Sequence, residues 1–271
     1  MAKVHVISGL PRSGSTLLSA ILQQNPRFVA GIASPIHDLV VTMLDQRNPS
    51  REFGAFFDEA RRRRLLRGIF EAFYADAPAD GVVFDTNRMW TGKIPLLRAL
   101  YPDLRVICCV REIGWIINSI ERMLRANPLQ TSRLFEFKSG TSFYARVQSL
   151  MHTDFGNIGL ALGEFREAWY GEEAASLIVV QYDSLARDPK AVVDRIYAEL
   201  GEPPFQHDLG RIDYDEPEYD RLIGMPGLHR VAPKVEPQAR EAIIPPEIFT
   251  RYAEAAFWAR PRENPRNVLV L

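Results

Sequence analysis

Apolar and polar positions alternate in blocks along the chain, and the blocks switch between strand-like runs and helical faces. Residues 4–7 form a short apolar run that predicts a strand, and 13–24 follow as a helix with Leu17, Leu18, Ile21 and Leu22 on one face. Helices are predicted over 35–47 and 52–75, the second with Phe53, Phe56, Phe57, Ala60, Leu65, Ile69 and Phe73 as its buried stripe. On that reading the run Arg61 to Arg64 is a solvated face rather than a binding patch. A second strand falls at 82–85, then a helix at 91–101 that stops at Tyr101-Pro102. Residues 104–110 are apolar at nearly every position after Arg105, the pattern of a strand covered on both faces. A helix over 113–125, a long helical stretch over 142–170, a strand at 177–180 and a helix at 189–200 complete the series. Strands separated by helices predict an α/β fold, a parallel sheet flanked by helices.

The rhythm breaks at 201–237, which is rich in Pro, Gly and acidic residues and includes Gly224-Met225-Pro226-Gly227-Leu228-His229-Arg230. A long stretch without periodicity in a compact protein reads as a functional lid. A closing helix at 246–259 turns Phe249, Tyr252, Ala256 and Phe257 inward to dock on the core. With no repeat and no linker, the 271 residues read as one domain near the upper size for a single core. Charge then narrows the field: 33 basic against 34 acidic residues give a net −1, which excludes the broadly basic surface of a nucleic-acid binder. Only Lys3, Lys93, Lys138, Lys190 and Lys234 are lysines, so the basic side is almost all arginine, the bidentate binder of phosphate. Cys108 and Cys109 sit side by side in an apolar run and make neither a disulfide framework nor a zinc site by themselves. The N-terminus lacks the basic start and apolar core of a signal peptide, and no apolar run approaches the ~20 residues of a membrane span. A soluble protein of the cytoplasm is expected.

The first strand runs into Gly9-Leu10-Pro11-Arg12-Ser13-Gly14-Ser15-Thr16 and then a helix. Such a turn offers free backbone N–H groups and the positive end of a helix dipole to a phosphate. The Gly-x4-Gly spacing is that of a nucleotide-triphosphatase loop, but Ser15 stands where its Lys belongs, and the cation has moved to Arg12. A Gly/Ser turn of this kind alone is equally an ordinary βα turn.

Pro11-Arg12-Ser13-Gly14-Ser15-Thr16 resembles the 5′-phosphosulfate loop of sulfotransferases that use 3′-phosphoadenosine 5′-phosphosulfate (PAPS), in the form found in the tyrosylprotein and bacterial branches. The family's second signature is an Arg ending a buried strand with a Ser eight residues on, which together hold the 3′-phosphate; Arg111 and Ser119 match it. Tyr182-Asp183-Ser184-Leu185 is similar to the family's Tyr-Glu-Asp-Leu, whose Tyr lies near the adenine. The three matches fall in order over about residues 1–200. The resemblance implies a P-loop-like fold with helical insertions capping an acceptor site. It implies sulfuryl transfer to an acceptor hydroxyl or amine without an obligatory metal, adenosine 3′,5′-bisphosphate being the product. A late basic loop closes over the nucleotide in the family, and His229, Arg230 and Lys234 are its counterparts here.

On the acceptor side the chain departs from its relatives. Cytosolic members carry Lys-x-His after the second core strand; here the stretch is Asp85-Thr86-Asn87-Arg88, so Arg88 takes the place of the Lys. The early Glu of tyrosylprotein members is absent from 31–38, which ends in His37-Asp38. Asp85 is the first candidate for general base because it ends a core strand, His37 the second and Asp38 the third. Equally, Asp85 can serve only as a hydrogen-bond acceptor or pair with Arg88, and His37 can be an ordinary helix-start residue. Residues 28–75 and 125–170, with Phe135, Phe137, Phe143 and Tyr144 among Arg133, Lys138 and Arg146, are expected to shape the acceptor pocket. They suit a small hydroxylated metabolite, a lipid headgroup or a sugar. The sequence leaves the oligomeric state open. A nucleotide kinase or NTPase, and a catalytically inactive nucleotide-binding module, are the alternatives.

Overall fold

A computed structural model of the chain describes residues 2–45, 56, 58–127, 142–236 and 241–271. Six parallel strands form one sheet in the order β2-β3-β1-β4-β5-β6. They are β1 (Lys3–Gly9), β2 (Phe28–Ala30), β3 (Val82–Thr86), β4 (Val106–Val110), β5 (Leu177–Gln181) and β6 (Leu269–Val270). Neighbours β1 and β4 pair Val6 with Val106 through to Gly9 with Cys109. From β1 the chain passes to the edge strand β2, returns to β3 beside β1, then crosses to β4 on the other side and builds outward to β5 and β6, so its direction across the sheet changes at β1. Open parallel sheets bind their ligands at the carboxyl ends of strands beside such a reversal.

Both faces of the sheet are covered, as the apolar run in β4 requires. Val106, Cys108 and Val110 enter one core with α4 (Ile94–Leu100), α5 (Ile113–Ala126) and α7 (Gly159–Tyr170), while Ile107 and Cys109 enter the other with α1 (Ser15–Leu22) and α9 (Pro189–Leu200). Burial pushes the Cys109 thiol up to about 12 and that of Cys108 well above its usual range, so both act as small apolar side chains. Trp90 and Trp169 are fully buried in the first core.

Three expectations are corrected. The 142–170 stretch is two helices, α6 (Phe143–Leu150) and α7, because the chain doubles back between them. A Cβ at Gly159 would lie 2.2 Å from the carbonyl oxygen of Met151, an approach only glycine permits. Helix α3 (Glu59–Phe73) starts at its cap Asp58 and buries Leu66 and Phe70, whereas Phe56, Leu65 and Phe73 are exposed; Phe53 and Phe57 lie outside the described residues. The closing helix is only α11 (Pro246–Tyr252), followed by 3-10 turns, and it buries Ile248 most deeply. The remaining helices are α2 (Ile36–Asp45), α8 (Tyr182–Arg187) and α10 (Pro217–Leu222). Among the described residues, no helix is long and apolar enough to cross a membrane.

Candidate active site

The loop after β1 is bent by three left-handed residues, Gly9 (φ 114°), Arg12 (φ 58°) and Gly14 (φ 95°). A Cβ at Gly9 would lie 2.2 Å from the Cys109 carbonyl oxygen, so the glycine lets the loop cross the end of β4. Ser13 is fully buried; its hydroxyl faces the carbonyls of Leu10 and Cys109 and pins the loop from below. Gly14 caps α1 without a side chain to take a first-turn N–H. Uncapped first-turn amides and the positive end of a helix dipole are the groups that attract an anion.

Arg111 follows β4 directly and is largely buried. Its guanidinium lies 4.1 Å above the ring centre of Tyr182, the first residue after β5. The same ring packs against the loop, since a Cβ at Gly14 would meet Tyr182 Cδ2 at 2.9 Å. Arg12 Nε donates to Ser119 Oγ at 3.2 Å, and Arg12 Nη1 donates to the carbonyl of Leu228 at 2.6 Å. The three sequence signatures, about 170 residues apart end to end, are thus in contact.

Together they line a cavity of about 410 Å³, within the range that takes a nucleotide-sized ligand. Pro11, Arg12, Gly14, Ser15 and Thr16 form one wall, with Arg111, Ser119 and Tyr182 beside them. His229, Arg230 and Lys234 line the cavity as well. That late segment is tied down by paired backbone bonds: Ile212 N–H donates to Pro233 at 2.6 Å and Val231 N–H donates to Tyr214 at 3.1 Å. Met225 and Leu228 are buried beneath it. Arg230 is highly exposed and 4.0 Å from Asp215, and Lys234 is 3.0 Å from Glu236. Both cations are therefore near the cavity but mostly in water, where screening leaves little net attraction.

The acceptor-side candidates separate. Arg88 lines the cavity and donates to Asn157 Oδ1 at 2.6 Å. Burial lowers its affinity for the proton, and Tyr219 on α10 opposes that shift. Asp38 lines the cavity with a side chain 84% accessible to water. His37 Nδ1 is 3.0 Å from Asp38 Oδ1, but the ring is buried against Trp90 behind the cavity wall. Asp85 is fully buried and does not reach the cavity. Its Oδ1 accepts from Trp90 Nε1 at 2.5 Å and its Oδ2 from Tyr74 Oη at 2.8 Å. Burial pushes its carboxyl up while the bonds from Ser34, Tyr74 and Trp90 pull it down. Of the expected pocket residues, Tyr144 is half exposed, Arg146 binds Glu121 at 2.7 Å, and Arg133, Phe135, Phe137 and Lys138 lie outside the described residues. Among the described residues, no group of three or more His, Cys, Asp or Glu side chains could hold a metal ion.

Sequence reasoning missed Tyr219 and Asp220. Pro217 at the start of α10, preceded by Asp215-Glu216, was the available helix signal.

A glycine-bent loop at a helix start, joined at a strand-order reversal by a stacked arginine, defines an α/β protein whose sheet edge carries the kind of loop that suits an anionic group. The model of the sulfotransferase family matches residues 6–207, and the chain belongs to that family. It is 27% identical over 218 residues to the nodulation protein NoeE of Sinorhizobium fredii (strain NBRC 101917 / NGR234), covering 72% of this chain and 49% of that one. The chain thus spans about half the length of this curated relative. Its fold is similar to the sulfotransferase domain of the Synechococcus PCC 7002 olefin synthase (TM-score 0.52, 16% identity, 94% of each chain). The sulfotransferase domain from the curacin biosynthetic pathway is equally similar (TM-score 0.52, 16% identity, 79% of this chain and 78% of that).

Proposed function

We propose that this sulfotransferase takes its sulfuryl group from PAPS and delivers it to a hydroxyl of a small-molecule, glycan or lipid acceptor, without an obligatory metal. The observation that supports this most is the convergence of the loop, Arg111, Ser119 and Tyr182 on one cavity. The donor set suits a nucleotide with anions at both ends. Loop amides and Arg12 take the 5′ end and stabilise charge as it grows on the leaving phosphate. Arg111 and Ser119 take the 3′-phosphate through charge-assisted hydrogen bonds, with Tyr182 beneath the arginine and beside the base. Arg230 and Lys234 on the late segment 224–235, acting as a lid, add charge from outside. PAPS supplies the activated sulfuryl group, and Arg88, at the end of β3, orients its oxygens. Asp85, with both oxygens engaged, holds Trp90 and Tyr74 under the acceptor side rather than moving a proton.

Thermal shift tests the reading. Adenosine 3′,5′-bisphosphate without Mg²⁺, at about 100-fold above its Kd, should raise the melting midpoint by roughly 5 °C or more. A shift seen only with Mg-ATP would replace the reading with a kinase or NTPase. Binding of the bisphosphate with no sulfate transfer over a broad acceptor panel would mark an inactive module.

A further inference from the structure

A carboxylate and an imidazole meet at the cavity wall in an arrangement the site described so far does not use. Asp220 on α10 is fully buried. Both of its oxygens address one residue: Oδ2 accepts the backbone N–H of His229 at 2.9 Å, and Oδ1 lies 2.5 Å from the ring Nδ1. The Asp220 carbonyl also accepts the Met225 N–H at 2.8 Å, so the acid and the 225–229 turn move as one piece. A carboxylate only accepts, so Nδ1 carries the proton and Nε2 keeps its lone pair. The ring lines the cavity, and its side chain is 15% accessible. Tyr219 stands edge-on to it, with ring centres 5.5 Å apart, and Tyr219 and Arg88 line the same cavity. His229, Tyr219 and Arg88 thus line one cavity, from the late segment to the turn after β3.

We infer that His229, oriented by Asp220, is the base that takes the proton of the acceptor hydroxyl. The inference rests on the sulfuryl transfer proposed above. Nε2 removes the proton as the acceptor oxygen uses its electron pair to form a bond to sulfur. The bond from sulfur to the bridging phosphate oxygen breaks, and its pair leaves on adenosine 3′,5′-bisphosphate. Nothing is oxidised or reduced. The imidazolium formed is held by Asp220 and gives its proton to water, the role a buried acid plays behind a catalytic histidine. The charged and titratable groups facing the ring are Asp220, Tyr219, Glu216 and Arg12. Burial lowers the ring's affinity for a proton below the usual imidazole range; Asp220 opposes that and Arg12 reinforces it. The free ring is thus neutral near pH 7, the state a base needs.

Nitrogen-15 NMR of histidine-labelled protein, calorimetry with adenosine 3′,5′-bisphosphate, and loss of PAPS with water as acceptor test this together. With the bisphosphate bound at pH 7.5, His229 should be the neutral Nδ1–H tautomer, and Asp220→Asn should shift it towards Nε2–H. His229→Gln should keep bisphosphate affinity within about threefold while slowing PAPS loss roughly 100-fold, the scale of general-base catalysis. A doubly protonated ring, or a tenfold or greater loss of bisphosphate affinity in His229→Gln, would make His229 a phosphate contact and overturn the inference. So would PAPS loss that is unchanged by His229→Gln, or no faster in wild-type protein than in buffer. Failure of wild-type protein to bind the bisphosphate defeats the donor reading itself, which separates the two failures.

Discussion

The two halves of the cavity are built differently. The proposed donor half comes from the carboxyl ends of β1, β4 and β5, whose register is locked by ladders such as Gly9 to Cys109 and Val110 to Gln181. Its parts are backbone amides, one stacked arginine and a hydroxyl at short, fixed offsets from those strands. The proposed acceptor half is assembled from Ser34 and Asp38 around the start of α2, Arg88 after β3 with Asn157 bonded behind it, and Tyr219 on the six-residue α10. Ser34 and Arg88 are tied to the sheet by the short β2–β3 ladder and the Ser34 N–H bond to the Thr86 carbonyl, whereas Asn157 and Tyr219 belong to no strand. Phosphate groups are the same in every donor nucleotide, so a rigid edge can specify them; an acceptor is specified by the insertions that hang from that edge.

The sharpest way to break this contrast is Arg111→Ala. It removes a buried cation that adds charge-assisted bonds to a phosphate, worth about 3 kcal/mol, or at least ~100-fold in affinity for adenosine 3′,5′-bisphosphate. Arg111→Lys keeps the charge and loses the planar fork and the stacking on Tyr182, so an intermediate loss of about tenfold is expected. Calorimetry measures both. Equal affinities for the alanine variant and wild type would mean the donor half is not where the nucleotide sits.

The same contrast explains what the sequence disclosed. The loop, the Arg111/Ser119 spacing and Tyr182 are local patterns on a strand, a turn or a helix, and each element falls where periodicity puts it. The cores are equally legible, because β4 and β5 are apolar on both faces. Asp85 shows the limit. Its strand continues one residue further, to Thr86, and side chains alternate along it. Thr86 lines the cavity, and Asp85 points to Trp90 and Tyr74. A one-residue difference in a strand end inverts which side chain faces the ligand. The stripe on α3 failed for another reason: the face carrying Leu66 and Phe70 packs on the core, and Leu65 and Phe73 lie on its flank in solvent. Asp220 and His229 are joined only by a turn without periodicity, so no pattern in the sequence announces the pair.

Asp85→Asn sharpens the comparison from the other side. Asn offers one acceptor where Asp85 offers two, so either Trp90 or Tyr74 must find a new arrangement. A loss of about 1–2 kcal/mol in stability is expected, with bisphosphate affinity unchanged within about threefold. Urea unfolding and calorimetry on one sample give both values. Undiminished stability would leave Asp85 without the anchoring role.

The smallest expected effect concerns the base of the donor half, at the opposite end of β1 from the loop. His5 is buried in β1, its Nδ1 accepts the Arg105 N–H at 3.0 Å, and it lies against Phe84. Burial, helped by Lys3 and Arg105, lowers its pKa from 6.5 to about 4, so the folded ring stays neutral while the unfolded one takes a proton. The unfolded state therefore binds more protons between those two values. Stability from this group is full above pH 6.5 and falls as the pH drops towards about 4. Between pH 7.5 and 5.5 the loss amounts to about 1 kcal/mol. In His5→Gln that part of the pH dependence should vanish, whatever the change in absolute stability, while Arg111→Ala should keep it. Urea unfolding of the three proteins at the two pH values reads the difference. An equal slope in His5→Gln and wild type would move the acid sensitivity elsewhere in the chain.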